Sequence, residues 1–535
     1  MRYDLIIRNA RLATGDGSPC RPGDLAISQG KIAALGCLPG DASAKRVIEA
    51  DGLVATPGFI DVHAHSEVSV WQKPDCLAKI SQGVTTELSG QCGISAYPAY
   101  GPAREAIEEY TGTVLGRAGR WPWENLREYR IEAGREGIAN NQGAFIGHGN
   151  LRINSMGFAE RRPTGKEMEE MKRLLAEELA EGAFGLTSGL VYAPGMYSDI
   201  DEMVELARVC GAVGGIYTTH MRGDGAGLLA AVAEAIEVAR RSGVQLNLSH
   251  LKVMGKANHG KVKDALAMMD AAVSEGLRVT ADCYPYDASC TTMTLILPPW
   301  TMTGGVAGLL ALLRDKESRR RILEDFPRQL EGWDNRTLSV GWDKRLVGSV
   351  VTERNKALTG LSLAEAGKRR GKSPGELALS LLLEEEGQVN AIFQGMAPED
   401  VRTVLSHPRV MVCSDGVDVG EKTHPRLYGT FPRYLSRYAD LSSDAAIGAA
   451  AYKLSGLPAE VYGLEGIGRL VPGYWADITL YDPARIKDTA TYAEPRRLAE
   501  GIGLVLVSGQ VVYREGQATG ARPGRFLNRR FLGAD

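Results

Sequence analysis

The sequence lacks the features that mark several common classes of protein. Its longest apolar runs fall far short of the roughly 20 residues that cross a bilayer, because charge, Gly or Pro interrupts each of them. No run of five or more Lys or Arg residues occurs, and 62 basic against 65 acidic residues give a formal charge of −3. Such a near-neutral chain attracts polyanions weakly, so neither nucleic acid nor a membrane is an expected partner.

Cysteine is scarce and has no pairing pattern. The eight cysteines among 535 residues contain no Cys-x-x-Cys pair, which argues against a disulfide framework and against a zinc knuckle. Any metal role must therefore come from single cysteines that meet histidines in the folded chain. The N-terminal stretch MRYDLIIRNARL alternates polar and apolar residues, unlike a signal peptide, so we expect a soluble, cytoplasmic protein.

The chain instead contains a regular alternation of short apolar runs and amphipathic helical segments. This pattern, over residues 56–464, predicts an α/β fold with a TIM-like (β/α)8 barrel. The two ends, residues 1–55 and 465–535, have only short strand patterns and predict one small composite β-sandwich domain. Residues 290–350, rich in Pro, Gly and Trp, predict an inserted lid segment that covers the site.

Nine apolar runs compete for the eight strands of the predicted barrel, and VNAIFQ is the one that we expect to lie outside it. Two helices have clear start signals. Thr164 and Glu167 have the spacing of a capping box ahead of an apolar stripe. Ser373 and Pro374 suit the N-cap and the first turn of another core-facing helix.

Four of the eight histidines close strand candidates. His63 and His65 end the first one as DVHAH, and because strand side chains alternate, they point to the same side about 6 to 7 Å apart. His220 ends GIYTTH and His250 ends QLNLSH. Active sites of (β/α)8 barrels lie at the carboxyl ends of the strands, so these histidines are predicted to meet.

Cys92 and Asp415 follow two further strand candidates, TTELSG and VMVCS. Taken singly, each residue has a structural explanation, because a strand-end histidine is commonly a hydrogen-bonded turn residue and Asp-Gly is common in turns. Taken together, a cysteine, four histidines and an aspartate at one face predict a metal site.

Nine short motifs follow one another over nearly the whole chain: DVHAHSE, GVTTELSGQCGIS, GHGNLR, TSGLVYAPG, YTTHMRGDG, LSHLK, DCYPY, CSDG and HPRLYGTFPR. In this order they resemble the D-aminoacylase (N-acyl-D-amino-acid deacylase) family of the amidohydrolase superfamily. Most members of the superfamily supply the metal-bridging group from a carboxylated Lys, whereas this family uses a Cys, and Cys92 stands at the matching place.

The resemblance implies that Cys92, His220 and His250 hold one tightly bound Zn²⁺. His63 and His65, with Cys92, would form a second and weaker metal position. A thiolate and two imidazoles are borderline-soft ligands suited to Zn²⁺, and three protein ligands leave a fourth place for water.

The resemblance also implies the residues that act on the substrate. Asp415 is the implied general base and acid, which accepts a proton from water and delivers it to the leaving nitrogen. The carboxylate of an N-acyl amino acid calls for Arg or Lys. The residues implied to surround the substrate are Arg426, Lys252, Tyr192, Tyr284 and Ser289.

Several of these residues have open alternatives. Tyr192 and Tyr284 adjoin prolines and would also pack in turns, and Lys252 would also suit a solvated face. His148 in GHGN closes another strand candidate and is predicted either to orient a ligand or water by a hydrogen bond or to be a turn residue. The histidines expected to lie apart from the chemistry are His259, His407 and His424, the last of which would at most position Arg426.

The leading functional hypothesis is zinc-dependent hydrolysis of N-acyl-D-amino acids to a carboxylate and a free D-amino acid. One alternative is a cyclic amidohydrolase of the hydantoinase or dihydropyrimidinase kind, and another is a catalytically silent interaction scaffold. Cys92 in place of a bridging Lys argues against the first, and an intact ligand set with Asp415 argues against the second.

The sequence leaves the preferred side chain, the acyl group and the oligomeric state open. Asp224 stands where Glu is expected in many relatives, and CTTM follows YPYDAS in place of a smaller Gly-Ser-Thr pattern. Arg222 would favour an acidic substrate side chain, or would be an exposed turn charge.

Overall fold

The computed structural model of the chain describes residues 2–330 and 332–529. Residues 1 and 530–535, at the ends of the predicted terminal domain, and residue 331, in the predicted insertion, lie outside the described residues. The strands are β1 (Arg2–Leu12), β2 (Arg21–Ser28), β3 (Lys31–Gly36), β4 (Ser43–Glu49), β5 (Val54–Pro57), β6 (Phe59–His65), β7 (Val84–Ser89), β8 (Asn141–Ala144), β9 (Ile146–Gly147), β10 (Gly185–Gly189), β11 (Ile216–His220), β12 (Gln245–Leu248), β13 (Val279–Cys283), β14 (Ala288–Thr292), β15 (Arg345–Ser349), β16 (Asn390–Gln394), β17 (Val410–Val412), β18 (Gly416–Val417), β19 (Ile478–Tyr481), β20 (Ile502–Val507), β21 (Gln510–Arg514) and β22 (Gln517–Ala518).

Helices follow most of the central strands. They are α1 (Glu67–Gln72), α2 (Leu77–Ile80), α3 (Ala103–Leu115), α4 (Leu126–Ala133), α5 (His148–Met156), α6 (Gly165–Ala180), α7 (Ile200–Ala212), α8 (Leu228–Ser242), α9 (Val262–Ser274), α10 (Gly305–Arg314), α11 (Lys316–Asp325), α12 (Arg336–Val340), α13 (Glu353–Lys356), α14 (Leu363–Arg370), α15 (Pro374–Glu384), α16 (Pro398–Ser406), α17 (Arg426–Arg437), α18 (Asp444–Ala451) and α19 (Leu457–Tyr462). In the described part of the chain, none of them is both long enough and apolar enough to span a membrane.

Strands from both ends of the chain share one nine-stranded sheet, in the order β22-β21-β20-β19-β5-β1-β2-β3, with β4 beside β1. The two ends meet where β5 pairs antiparallel with β19, for example Ala55 with Leu480. A separate apolar cluster lies against this sheet and includes Ile7, Leu25 and Ile478.

The central strands pair in parallel and form two sheets, β17-β13-β12-β11-β10-β9 and β18-β6-β7-β8. The segments β8 and β9, like β17 and β18, are nearly consecutive in the chain, so the chain steps between the two sheets at two places. These strands are almost entirely buried, as is typical of parallel sheets covered by helices. Their carboxyl ends are therefore the positions from which side chains can reach a common site.

The segment VNAIFQ lies outside the parallel sheets, as predicted. Its strand β16 pairs antiparallel with β14 and β15 in a separate three-stranded sheet. Two of these three strands lie in or next to residues 290–350, so the segment that interrupts the alternation folds against a later part of the chain.

The predicted helix starts are confirmed. Thr164 caps α6 through a full capping box with Glu167. Ser373 caps α15 in the same way, with Pro374 in the first turn. Both caps satisfy backbone N–H groups that the first helical turn leaves without partners.

Candidate metal centre

The predicted strand-end residues come together in one buried cluster. His63 and His65 lie at the end of β6 and His220 ends β11, while Cys92 and His250 follow the ends of β7 and β12 by a few residues. All five are at least nine-tenths buried. The ligand atoms of Cys92, His220 and His250 lie within 4.8 Å of one another, and so do those of a second group, which consists of His63, His65, Cys92 and Asp415.

Cys92 lies at the centre of this arrangement. Its Sγ is 3.3 Å from His63 Nε2 and 3.3 Å from His250 Nε2. The distance from Sγ to His220 Nδ1 is 3.5 Å. Cys92 belongs to both groups, so its sulfur is common to the two candidate ligand sets.

The backbone at these positions is unusual. Cys92, His250 and Asp415 have φ angles of 57°, 35° and 47°, in the left-handed region that non-glycine residues rarely adopt. Such conformations persist at functional sites because the surrounding structure holds them. Beside Cys92, a Cβ on Gly93 would lie 2.5 Å from the backbone nitrogen of Gly189, so the turn after β7 packs directly on the end of β10.

The surroundings favour the ligand forms of Cys92, His220 and His250 but not those of His63 and His65. Burial alone would lower the pKa of His63 and His65, but Cys92 and the carboxylates of Asp282 and Asp415 raise it, to about 9 for His65. Burial alone would raise the pKa of the Cys92 thiol, but the charge of His63 and hydrogen bonds from His220 and His63 lower it well below its usual value. Burial lowers the pKa of His220, and burial together with the Lys252 cation lowers that of His250. A thiolate and neutral imidazoles are the forms that bind metal ions.

Asp415 lies next to the histidines of β6. Its Oδ1 is 3.2 Å from His65 Nε2 and 3.5 Å from His63 Nε2. Its Oδ2 is 2.7 Å from Arg426 NH1. Burial alone would raise the pKa of Asp415, but the Arg426 cation and the bond to His65 lower it below its usual range, so the carboxylate is ionised.

A narrow cavity opens onto the cluster. Three of the predicted substrate residues line it, namely Lys252, Tyr192 and Ser289. Arg426 lies behind Asp415, fully buried, with its guanidinium 4.6 Å from the centre of the Tyr284 ring. Its NH2 group donates to the carbonyl of Cys290. The structure therefore places Arg426 in contact with Asp415 and Tyr284 against Arg426, and neither is among the residues that line the cavity.

The other histidines lie outside the buried cluster that contains Cys92. His148 Nε2 is 2.7 Å from Glu202 Oε1, and Arg152 holds the other oxygen of that carboxylate. His424 Nδ1 accepts a hydrogen bond from the backbone N–H of Arg426, which fits the expected positioning role. His259 and His407 are exposed or half-buried and bond to groups away from the cluster.

Two residues that the sequence reasoning missed contact the site. Asp282, in β13, lies 3.4 Å from His63 Nδ1 and accepts the backbone N–H of His250 at 2.7 Å. The strand-end rule that found the histidines would have found it too, because it precedes the last residue of its strand. Arg336 lines the cavity and lies 2.8 Å from Asp224, but it comes from the 290–350 segment, where no periodicity indicates its place.

Comparisons with known proteins identify the family of the chain. A model of the amidohydrolase family matches residues 46–513. D-aminoacylase of Alcaligenes xylosoxydans xylosoxydans is 34% identical over 527 residues, which cover 98% of each chain. The chain belongs to the amidohydrolase family, in the group of the D-aminoacylases. N-acyl-D-glutamate deacylase of the same organism is 34% identical, over 99% of this amidohydrolase and 97% of that protein.

A solved relative adds a structural comparison. The N-acyl-D-glutamate deacylase of Bordetella bronchiseptica, in complex with zinc and a phosphonate inhibitor that mimics the tetrahedral intermediate, superposes with a TM-score of 0.83. It is 31% identical, and the alignment covers 99% of this amidohydrolase and all of that chain. The mixed α/β fold is thus shared along the whole length.

Proposed function

We propose that this amidohydrolase hydrolyses the amide bond of N-acyl-D-amino acids and releases a carboxylate and a free D-amino acid. The observation that carries the proposal is the buried cluster in which Cys92 lies within 3.5 Å of His220 and His250 while Asp415 lies beside His65. The full-length relatives are a D-aminoacylase and deacylases of N-acyl-D-amino acids.

The donor set fits zinc. A cysteine of lowered pKa and two imidazoles whose lowered pKa keeps them neutral provide three borderline-soft ligands. Cys92, His220 and His250 would hold the tight ion, and His63 and His65, with Cys92, a weaker second one. Zinc bound there supplies Lewis-acid polarisation of a carbonyl and lowers the pKa of water from 15.7 to about 7.

Asp415 would perform the proton transfers. Its ionised carboxylate accepts the proton of the attacking water and returns it to the amide nitrogen, which must be protonated to leave as an amine. Arg426 holds this carboxylate through Oδ2, which leaves Oδ1 facing the histidines and the reacting groups. The pairing also keeps Asp415 ionised until it accepts the proton.

The substrate carboxylate would be held at the cavity wall. Lys252 supplies a cation there, and the hydroxyls of Tyr192 and Ser289 supply donors. The role of Arg426 as a direct carboxylate ligand stays a prediction. The same holds for Tyr284, predicted to polarise the scissile carbonyl or orient the substrate, and for the role of His148. With the carboxylate fixed and the amide aimed at the metal, only one configuration at Cα directs its side chain into free space, which accounts for D-selectivity.

The architecture is part of the proposal. We assign the two parallel sheets of residues 56–464 to one (β/α)8 barrel, with the site at the carboxyl ends of its strands. Residues 1–55 and 465–535 would form the composite β domain, of the sandwich type. Residues 290–350 would act as the cover of the site, since Thr291 and Arg336 line its cavity.

A substrate panel with one variant tests the function. Zinc-loaded protein is expected to release amine from acetyl-D-Leu, acetyl-D-Met, acetyl-D-Glu or acetyl-D-Asp, and not from the L-forms. Asp415→Asn should lower kcat by about 10²- to 10⁴-fold with unchanged metal content, because it removes the proton acceptor and spares the ligands. Absence of amine release from every D-substrate, or unchanged turnover of the variant, would refute the proposal.

A further inference from the structure

The turn that carries Cys92 is held by a helix that lies much later in the chain. Gly93, the residue after Cys92, donates its backbone N–H to Thr187 Oγ1 at 3.1 Å. Its carbonyl accepts the backbone N–H of Gly149, the second residue of α5, at 3.0 Å. A Cβ at Gly149 would lie 2.7 Å from that carbonyl oxygen, so the first turn of α5 packs directly on the Cys92 turn.

Asn150, the third residue of α5, bonds the chain where it leaves this turn. Its Oδ1 accepts the backbone N–H of Ser95 at 3.1 Å, and its Nδ2 donates to the carbonyl of Ser95 at 2.8 Å. Nδ2 also lies 3.3 Å from the carbonyl oxygen of Pro98. Asn150 is 1% exposed, so water does not compete for these bonds. One amide therefore binds both backbone groups of Ser95, as a neighbouring strand would.

Helix α5 is in turn anchored to α7. His148 Nε2 lies 2.7 Å from Glu202 Oε1, and Arg152 donates to the other oxygen of this carboxylate. All three side chains are buried. The motif GHGNLR thus contains the two anchors of the helix, the glycine that permits its close approach to the Cys92 turn, and the asparagine that bonds Ser95.

We propose that Asn150 is a positioning residue, which acts through Ser95 and the turn before it to direct the Cys92 sulfur at the metal. The inference rests on the proposed metal set, because it assigns the residue that orients one ligand of that set. Cys92 has a φ of 57°, a conformation that a residue with a side chain holds where its surroundings impose it. The hydrogen bonds from α5 to Gly93 and Ser95 supply that constraint on the carboxyl side of Cys92.

The first test compares two asparagines of the same helix. Asn154, one turn later, also makes three hydrogen bonds, with the backbone N–H of Tyr100 and the carbonyls of Pro98 and Asn150. Asn150→Ala and Asn154→Ala remove equal numbers of bonds, but only the first releases Ser95. The Kd for zinc, measured by chelator competition, should rise about tenfold or more in Asn150→Ala and change less than about twofold in Asn154→Ala. Equal rises in both variants would overturn the inference, because a general loss of bonds from α5 would then be sufficient.

Cobalt substitution reports on the sulfur ligand itself. Because Cys92 would bind as a thiolate, Co²⁺ in the site should give a sulfur-to-metal charge-transfer band in the near ultraviolet. The energy and intensity of this band depend on the geometry of the bond between cobalt and sulfur. The band should shift or weaken in folded Asn150→Ala and match the wild-type band in Asn154→Ala. An unchanged band in folded Asn150→Ala would contradict the inference.

A variant of the neighbouring glycine decides the question if Asn150→Ala fails to fold. Gly149→Ala keeps the amide of Asn150 but places a methyl group against the Gly93 carbonyl, so the Cys92 turn must move. It should alter the cobalt band, whereas Gly165→Ala, at the start of α6, should not, because a Cβ there has no neighbour within 4 Å. A wild-type band in Gly149→Ala would overturn the positioning role of α5. If wild-type protein gave no thiolate band with Co²⁺, the proposed metal set itself would be refuted, and the inference with it.

Discussion

Two buried polar clusters share strand β6 and differ in how well their groups are partnered. In the first, which we call the lysine cluster, Lys79 Nζ lies 2.6 Å from Asp61 and 2.9 Å from Ser414 Oγ. It also lies 3.2 Å from Glu87, whose oxygens accept further bonds from Ser66, Asn140 and Gln142.

In the metal cluster, by contrast, some buried histidine nitrogens have no hydrogen-bond partner among the described residues. These nitrogens include His65 Nδ1 and His220 Nε2. Both clusters are dense in charged and ionisable groups and deeply buried, so burial does not distinguish them. Buried histidine nitrogens without partners beside a cavity indicate chemistry, whereas the full pairing of Lys79, Asp61 and Glu87 indicates a structural role.

The largest expected effect tests the structural role of the lysine cluster. Lys79→Met leaves Asp61 and Glu87 as buried carboxylates without their cation, and should lower the free energy of unfolding by about 3 to 5 kcal/mol. Urea denaturation measures the loss. The kcat per folded molecule should stay within about twofold of the wild-type value. If Lys79→Met left the free energy of unfolding unchanged, the lysine cluster would not have the structural role assigned to it.

Lys252→Met is the matched variant in the metal cluster. Lys252 lies 2.9 Å from His250 Nδ1, and its acidic partner Asp224 keeps Arg336 as a counter-ion. We therefore expect a fall in kcat/KM of at least about tenfold with a change in stability below about 1 kcal/mol. Steady-state kinetics and urea denaturation on the same samples separate the two outcomes.

Glu178 is a buried carboxyl group that, unlike those of the lysine cluster, has no cation close to it in the part of the chain that the structure describes. Burial raises the pKa of Glu178 to about 7, against a partly opposing hydrogen bond from the backbone N–H of Leu126. Because the folded-state pKa lies above the ordinary 4.5, this group costs stability as pH rises from about 4.5 to 7, and the cost is complete above 7. Glu178→Gln should therefore stabilise the protein by up to about 3 kcal/mol at pH 8 and by nothing at pH 4.

Denaturation curves at several pH values check this prediction. Glu177→Gln is the control, because Glu177 is half exposed and pairs with Arg173 on the same helix. It should change stability by less than about 0.5 kcal/mol across the range. A pH-independent difference between Glu178→Gln and wild type would show that the carboxyl does not titrate as described.

A further prediction concerns a group that joins the metal cluster to its surroundings. Asp282 bonds the backbone of His250 and lies beside His63 Nδ1. Asp282→Asn keeps the shape but removes the charge that orients the imidazole, and should weaken zinc binding by about 10- to 100-fold. Competition with a chromophoric chelator measures the affinity, and equal affinity in variant and wild type would remove Asp282 from the positioning residues.

The metal cluster was within reach of sequence reasoning because strand geometry is regular. Side chains alternate along a strand and parallel strands end at one edge, so DVHAH, GIYTTH and QLNLSH predict a meeting of histidines. The same rule gave no direction for the ring of His148, which faces Glu202 of α7, because tertiary contacts choose the rotamer. Strand periodicity also gives no indication of Arg336, which reaches the cavity from the segment of residues 290–350.

The lysine cluster was not predicted at all. Lys79 lies on the four-residue helix α2, which is too short to show periodicity, and Asp61 and Glu87 look like ordinary strand residues. A register shift between β6 and β7, between Asp61 and Ala64, separates Asp61 from the histidines that follow it. Irregularities of this kind follow from packing, which a local pattern does not encode.

The pairing of β5 with β19 has a consequence for biosynthesis. Thr56 and Thr479 are partners 423 positions apart. A ribosome must therefore add 423 residues beyond Thr56 before β5 can pair with β19, and until then β5 presents an open edge. Nascent polypeptides that stall upstream of β19 should depend on chaperones and be prone to self-association, even though most of residues 56–464 have already left the ribosome.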